Sequence, residues 1–103
     1  MTDTDKTRRA LSPRTNLVHA GTWRSEHGEM SEALFLTQGF VYDTAAAAEA
    51  RFLGEDEGFI YARYGNPTVR MFEERMMALE GAEDAFATAS GMGAITSTLW
   101  TFL

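Results

Sequence analysis

Two short stretches of this chain carry groups able to grip an anion. In Tyr61-Ala62-Arg63 a phenol and a guanidinium stand two residues apart. On an extended segment alternate residues share a face, so both could bond one phosphate, the guanidinium through paired charge-assisted hydrogen bonds. In Ser90-Gly91-Met92-Gly93 two glycines join the small-residue run Ala85–Ala89 to a stretch with Ile95, Leu99 and Phe102 at spacings of four and three. Strand, glycine turn and helix in that order make a phosphate cradle. Glycine lets the backbone close on an anion, the free N–H groups at the helix start point at its oxygens, and the helix dipole adds a favourable field. Each stretch also has a plainer reading. Gly91-x-Gly93 lacks the third glycine of a dinucleotide fingerprint, Thr96 standing in that place, and no Gly-Lys-Ser/Thr follows. Taken alone, the glycines would serve tight strand-to-helix packing, and the Tyr61–Arg63 pair would be a half-buried ring beside a surface cation. Together the two stretches favour phosphate.

The elements that must position these groups are legible in part. Asn66-Pro67 starts a helix: asparagine caps with its side chain, and proline at the first helical position gives up an N–H that has no helical partner. Val69, Phe72, Met76 and Leu79 then recur at spacings that predict one apolar face, and Gly81 supplies the stop. Asp43 or Thr44 caps an alanine-rich helix running to Leu53 before Gly54, and Glu55-Asp56-Glu57-Gly58 reads as a solvated turn. Residues 32–42 are expected to be extended in part, and residues 85–89 to form a short buried strand. The stretch 1–28 shows neither a helical nor a strand period and is expected to be an arm that needs a partner surface.

Composition narrows the function classes. A net charge of −6 over 103 residues argues against nucleic-acid and anionic-membrane partners, because phosphate-rich surfaces attract basic patches. There is no cysteine, so neither a disulfide framework nor a thiolate nucleophile or ligand exists. His19 and His27 lie apart without cysteines or an arranged carboxylate, and no metal site is expected. The polar opening Met1-Thr2-Asp3-Thr4-Asp5 is not a secretory signal, and no apolar run approaches the ~20 residues of a membrane helix. A cytoplasmic protein is the expectation.

Tyr61-x-Arg63-x-Gly65-Asn66-Pro67-Thr68, Leu79-Glu80-Gly81-Ala82-Glu83 and Ala89-Ser90-Gly91-Met92-Gly93-Ala94, with Val18-His19-Ala20-Gly21 upstream, resemble the Cys/Met-metabolism family of enzymes that depend on pyridoxal 5'-phosphate (PLP). Within that family, Ser31–Thr37 and Gly39–Asp43 look most like the O-succinylhomoserine sulfhydrylases, whereas Gly91–Trp100 looks also like the methionine gamma-lyases.

The resemblance implies an α/β protein of fold-type I. Residues 1–60 would be an N-terminal arm and interface segment, and residues 61–103 the start of a PLP-binding domain. It implies PLP as cofactor and an amino-acid substrate undergoing gamma-replacement in methionine biosynthesis. Gamma-elimination, or a cystathionine gamma-synthase-like reaction, is the alternative. It also implies a homotetramer of dimers sharing active sites. Tyr61 and Arg63 would reach the cofactor phosphate of the neighbouring subunit, and the backbone of Gly91 and Met92 would bind the phosphate of their own subunit. Tyr61 would also act near the substrate as a proton acceptor. PLP enzymes hold the cofactor on a lysine amine, yet lysine occurs once here, at Lys6 in a polar stretch. The chain is accordingly expected to be the N-terminal part of such an enzyme, inactive alone. A different class of reading, a non-catalytic phosphate-binding interaction module, fits the same lysine count.

Overall fold

Four helices, each begun by a polar cap, make up the regular structure of residues 11–103, the residues described in a computed structural model. They are α1 (Pro13–His19), α2 (Ala45–Phe52), α3 (Pro67–Glu80) and α4 (Gly91–Phe102). The first amides of a helix have no intrahelical acceptor, and a short side-chain oxygen placed before them supplies one. Ser12 accepts from Thr15, Thr44 from Ala47, Asn66 from Thr68 and Ser90 from Gly93. Gly54 and Gly81 take φ of 76° and 65° after α2 and α3, the left-handed stop expected at both places.

The chain divides into two compact units, one of Trp23–Met71 and one of the residues up to Thr22 with Phe72–Leu103. In the first, the start of α3 is tied to residues 33–37. Asn66 is 6% exposed. Its Nδ2 donates to the Phe35 carbonyl at 2.9 Å and the Thr37 carbonyl at 3.5 Å, while Thr68 Oγ1 accepts from the Phe35 amide at 2.8 Å. Phe59 stacks on Phe40, ring centroids 5.4 Å apart, with Trp23 tilted against it at 6.1 Å. In the second unit, Arg75 on α3 donates to the Ala20 carbonyl at 2.8 Å and the Thr22 hydroxyl at 3.1 Å, which fastens the segment after α1.

Residues 24–29 form a separate small turn. The Glu29 carboxylate accepts from the amide and hydroxyl of Ser25, each at 2.7 Å. Those bonds, the amide first, hold its carboxyl down from 4.5 to about 2. A depressed carboxyl supports this turn fully above pH 4.5, and the support is lost as the pH falls through about 2.

Three expectations about local structure need correction. The arm contains a helix, α1, which Ser12-Pro13 announces as cap and first helical residue even without an apolar period. On α3 the buried stripe is Pro67 and Met71, while Val69 and Phe72 are 42% and 56% exposed. What lies against a helix decides its buried side, and here the Trp23 amide donates to the Met71 sulfur at 3.2 Å. Residues 85–89 are not a strand: no partner strand takes up their backbone groups, Phe86 is 82% exposed, and the Ala87 amide donates instead to Glu73 on α3. Residues 32–42 contribute one antiparallel bridge, Gly39 to Tyr61, and no strand. The α/β expectation therefore finds no sheet among the described residues. None of the described helices is long and apolar enough to cross a membrane.

Met71 is the one fully buried hydrophobic side chain among the described residues, while Ile95, Leu99, Trp100 and Phe102 of α4 all lie open. So small a core cannot offset the conformational entropy of ordering the chain. In isolation the chain is expected to unfold gradually in urea, with far-UV and near-UV signals that do not coincide; a single cooperative, concentration-independent transition would contradict this. Asn66→Ala is expected to remove about 1–2 kcal/mol of local protection at the Thr68 and Phe35 amides. Faster hydrogen exchange at those two amides, with the Leu53 amide at the end of α2 unchanged, is the measurement.

Candidate functional site

The segment carrying Tyr61 and Arg63 is held at both ends. Tyr61 pairs with Gly39, and the Ala62 amide donates to the Gln38 carbonyl at 2.8 Å. The chain then turns at once, because the amides of Tyr64 and Gly65 both donate to the Tyr61 carbonyl, at 2.9 and 3.1 Å. Tyr61 and Arg63 consequently do not stand side by side on an extended face, as their spacing suggested. The turn brings the Arg63 guanidinium over the Tyr61 ring instead, 5.3 Å from its centroid. Such stacking contributes about 0.5–1 kcal/mol at an exposed site. It orders the guanidinium while leaving its N–H groups available, and Arg63 forms no ion pair among the described residues. The half-buried Tyr61 ring lies edge-on to Tyr64 at 6.4 Å, and its hydroxyl has no partner among the described residues.

Upstream of this turn, the acidic stretch after α2 is not simply solvated. Arg51 Nε donates to Asp56 Oδ2 at 3.0 Å and Nη1 to the Phe59 carbonyl at 3.1 Å, with the guanidinium 4.9 Å from the Tyr42 ring centroid. No periodicity marks this arginine, since its partners lie in an irregular loop. From sequence, Asn66 is legible only as a cap, and Thr68 has no role of its own. The Asn-Pro-Thr run was the available signal, as both side chains are short polar groups at a helix start.

Gly91 and Met92 lie in the other unit, at the first two positions of α4. The Gly93 amide goes to the Ser90 hydroxyl at 3.0 Å and the Ala94 amide to the Ser90 carbonyl at 3.1 Å. The amides of Gly91 and Met92 are left without acceptors among the described residues, at the positive end of a twelve-residue helix dipole. Thr88 donates to the Ser90 carbonyl at 2.8 Å and so steadies the entry. Gly91 and Ala94 line an open groove of about 360 Å³ with Phe72, Met76 and Phe86. Each unit thus carries its own anion donors: two open amides in a helix field in one, and an ordered guanidinium in the other. Among the described residues no three His, Asp or Glu side chains gather to hold a metal.

Residues 14–103 match the Cys/Met metabolism PLP-dependent enzymes, and the chain belongs to that family. The family is of fold-type I, and its cofactor is PLP. An O-succinylhomoserine sulfhydrylase of Pseudomonas aeruginosa is 62% identical over 81 residues, covering 79% of this chain and 20% of the relative. One from Mycobacterium tuberculosis is 50% identical over 93 residues, covering 90% of this chain and 23% of that relative. An L-methionine gamma-lyase of Fusobacterium nucleatum is 46% identical over 89 residues, 86% of this chain and 22% of the relative. The chain thus spans about a fifth of the length of the curated relatives it matches. Its single lysine, Lys6, precedes the matched span and lies outside the described residues.

Proposed function

We propose that this chain is the N-terminal part of a PLP-dependent O-succinylhomoserine sulfhydrylase, in which succinate leaves the gamma carbon of O-succinylhomoserine and sulfide takes its place to give homocysteine. The observation that carries the reading is the 62% and 50% identity to two sulfhydrylases over most of the chain. When bound, PLP supplies the electron sink that gamma chemistry on an amino acid requires. This chain's residues supply binding and orientation. The Gly91 and Met92 amides, with the α4 dipole behind them, hold phosphate oxygens. The guanidinium of Arg63, ordered over Tyr61, holds the phosphate of a neighbouring subunit through paired hydrogen bonds. The Tyr61 hydroxyl, without a partner among the described residues, faces the substrate as a proton acceptor. Residues 61–103 begin an α/β PLP-binding domain, and residues 1–60 are arm and interface. The enzyme is a cytoplasmic homotetramer of dimers that share active sites. A methionine gamma-lyase is the second reading, favoured by the 46% identity to such an enzyme and by Gly91–Trp100. Homocysteine formation from O-succinylhomoserine and sulfide, assayed against methionine cleavage in the full-length enzyme, separates the two; methionine cleavage alone overturns the first.

By itself the 103-residue chain offers only Lys6 as an amine besides its N-terminus. Incubated with PLP and dialysed, the chain and its Lys6→Ala variant are both expected to retain no cofactor absorbance. Retention that does not depend on Lys6 would refute the claim that the chain alone is inactive for want of a lysine.

In the full-length enzyme, Arg63→Ala is expected to weaken PLP retention about ten- to a hundredfold, the effect of losing hydrogen bonds to a charged group, with Arg63→Lys restoring it only partly. Because the contact crosses subunits, mixed dimers that pair Arg63→Ala with a subunit lacking its cofactor lysine are expected to recover activity above either homodimer. Unchanged retention removes Arg63 from the site, and absent recovery removes the crossing.

A further inference from the structure

The loop from Gly54 to Ile60 leads directly into the Tyr61–Gly65 turn, and one side chain controls its path. Arg51, in the last turn of α2, is only 20% exposed along its side chain. Its guanidinium reaches across the loop in two directions, to the Asp56 carboxylate and to the Phe59 carbonyl, and lies against Tyr42. Asp56 in turn accepts from the Gly58 amide at 3.3 Å, which closes the loop on itself. Phe59 is the residue through which this hold is passed on. Its carbonyl is bonded to Arg51, its ring is stacked on Phe40, and the same ring lies where a Cβ on Gly65 would come within 3.2 Å of it. Arg51 therefore grips the backbone two residues ahead of Tyr61, and the ring of the gripped residue packs against the far end of the turn that aims Arg63.

An exposed ion pair alone would do little, as the median surface pair contributes ~0–1 kcal/mol. The planar fork of an arginine, spent on a carboxylate and a backbone carbonyl at once, sets geometry instead. Gly58 lies directly under the guanidinium. A Cβ there would fall directly on Nε and Cζ of Arg51, whereas no positive φ demands glycine at that position. An alanine could keep the backbone only by displacing the guanidinium.

We infer that Arg51 is a positioning residue for phosphate binding: by holding the Phe59 carbonyl and Asp56 it sets the direction in which the Tyr61–Arg63 turn presents its guanidinium, and Gly58 is glycine to admit it. This rests on the proposed role of Arg63 and names the group that makes the role possible.

The test is a set of substitution cycles in the full-length enzyme, with the PLP dissociation constant as readout. Arg51→Ala is expected to weaken PLP binding about tenfold, the effect of freeing one hydrogen-bonded charged contact, with Arg51→Lys recovering only part because an ammonium cannot span both acceptors. Combined with Arg63→Ala, Arg51→Ala is expected to cause little further loss, since it acts through Arg63; a merely structural defect would add in full. Gly58→Ala is expected to mimic Arg51→Ala in the native background and to be nearly silent once Arg51 is alanine. The Gly58 arm keeps the test meaningful if Arg51→Ala folds poorly. Full additivity of Arg51→Ala with Arg63→Ala, or an equal Gly58→Ala loss with and without Arg51, overturns the inference. An Arg63→Ala enzyme that binds PLP normally overturns the underlying reading of Arg63 instead.

Discussion

A buried carboxamide holds the first half of the described chain together. Asn66 turns its oxygen to the Thr68 amide at the start of α3 and its nitrogen to the carbonyls of Phe35 and Thr37, so one side chain both begins a helix and anchors an irregular strap. Thr68 adds its hydroxyl to the same strap, accepting from the Phe35 amide and donating to the Ala33 carbonyl at 3.4 Å. Residues 33–37 have no sheet among the described residues to order their backbone, and hydrogen bonds from these two side chains hold it instead. The side chains of the Asn-Pro-Thr run take the place of a neighbouring strand. Proline between them is compatible with this arrangement, since its missing N–H is not needed at the first helical position.

The same economy appears in how the cations are held. Arg63 is ordered by a ring face and keeps its N–H groups, whereas Arg51 spends its fork on a carboxylate and a carbonyl. These are different uses of one side-chain type. A guanidinium stacked on tyrosine loses rotamer freedom before a ligand arrives, which lowers the ordering cost of binding, and a guanidinium clamped on backbone determines where its neighbours point. Arg75 is a third case, bracing α3 to the Ala20 carbonyl and the Thr22 hydroxyl.

The open face of α4 has a counterpart in the family comparison. A twelve-residue helix with Ile95, Leu99, Trp100 and Phe102 exposed is far more apolar than a solvent-facing helix should be. The chain spans about a fifth of the length of its sulfhydrylase relatives. Under the proposed function, the rest of the enzyme and its partner subunits bury that surface. The start of α4 does not wait for that burial, because the cap formed by Ser90, which leaves the Gly91 and Met92 amides open among the described residues, is local.

Local chemistry was readable from the residues alone. The cap at Asn66, a cap at Asp43 or Thr44, the glycine stops at Gly54 and Gly81, and the helix after the Ser90–Gly93 turn each depend on interactions within a few residues, so sequence determined them, while the structure chose Thr44 and added Ser90 as a cap. The family, too, was legible in the motifs from Tyr61 to Ala94. Tertiary structure decided what depended on distant partners. It chose Met71 over Phe72 as the buried residue of α3, because the Trp23 segment lies on that side. It left residues 85–89 without a partner, and a strand is defined by its partner rather than by its composition. It folded Arg63 over Tyr61 because the amides of Tyr64 and Gly65 turn back on the Tyr61 carbonyl, a bend that two-residue spacing does not reveal. Arg51 was invisible for the same physical reason: its grip on Phe59 and Asp56 runs through an irregular loop, where no period links residue number to direction.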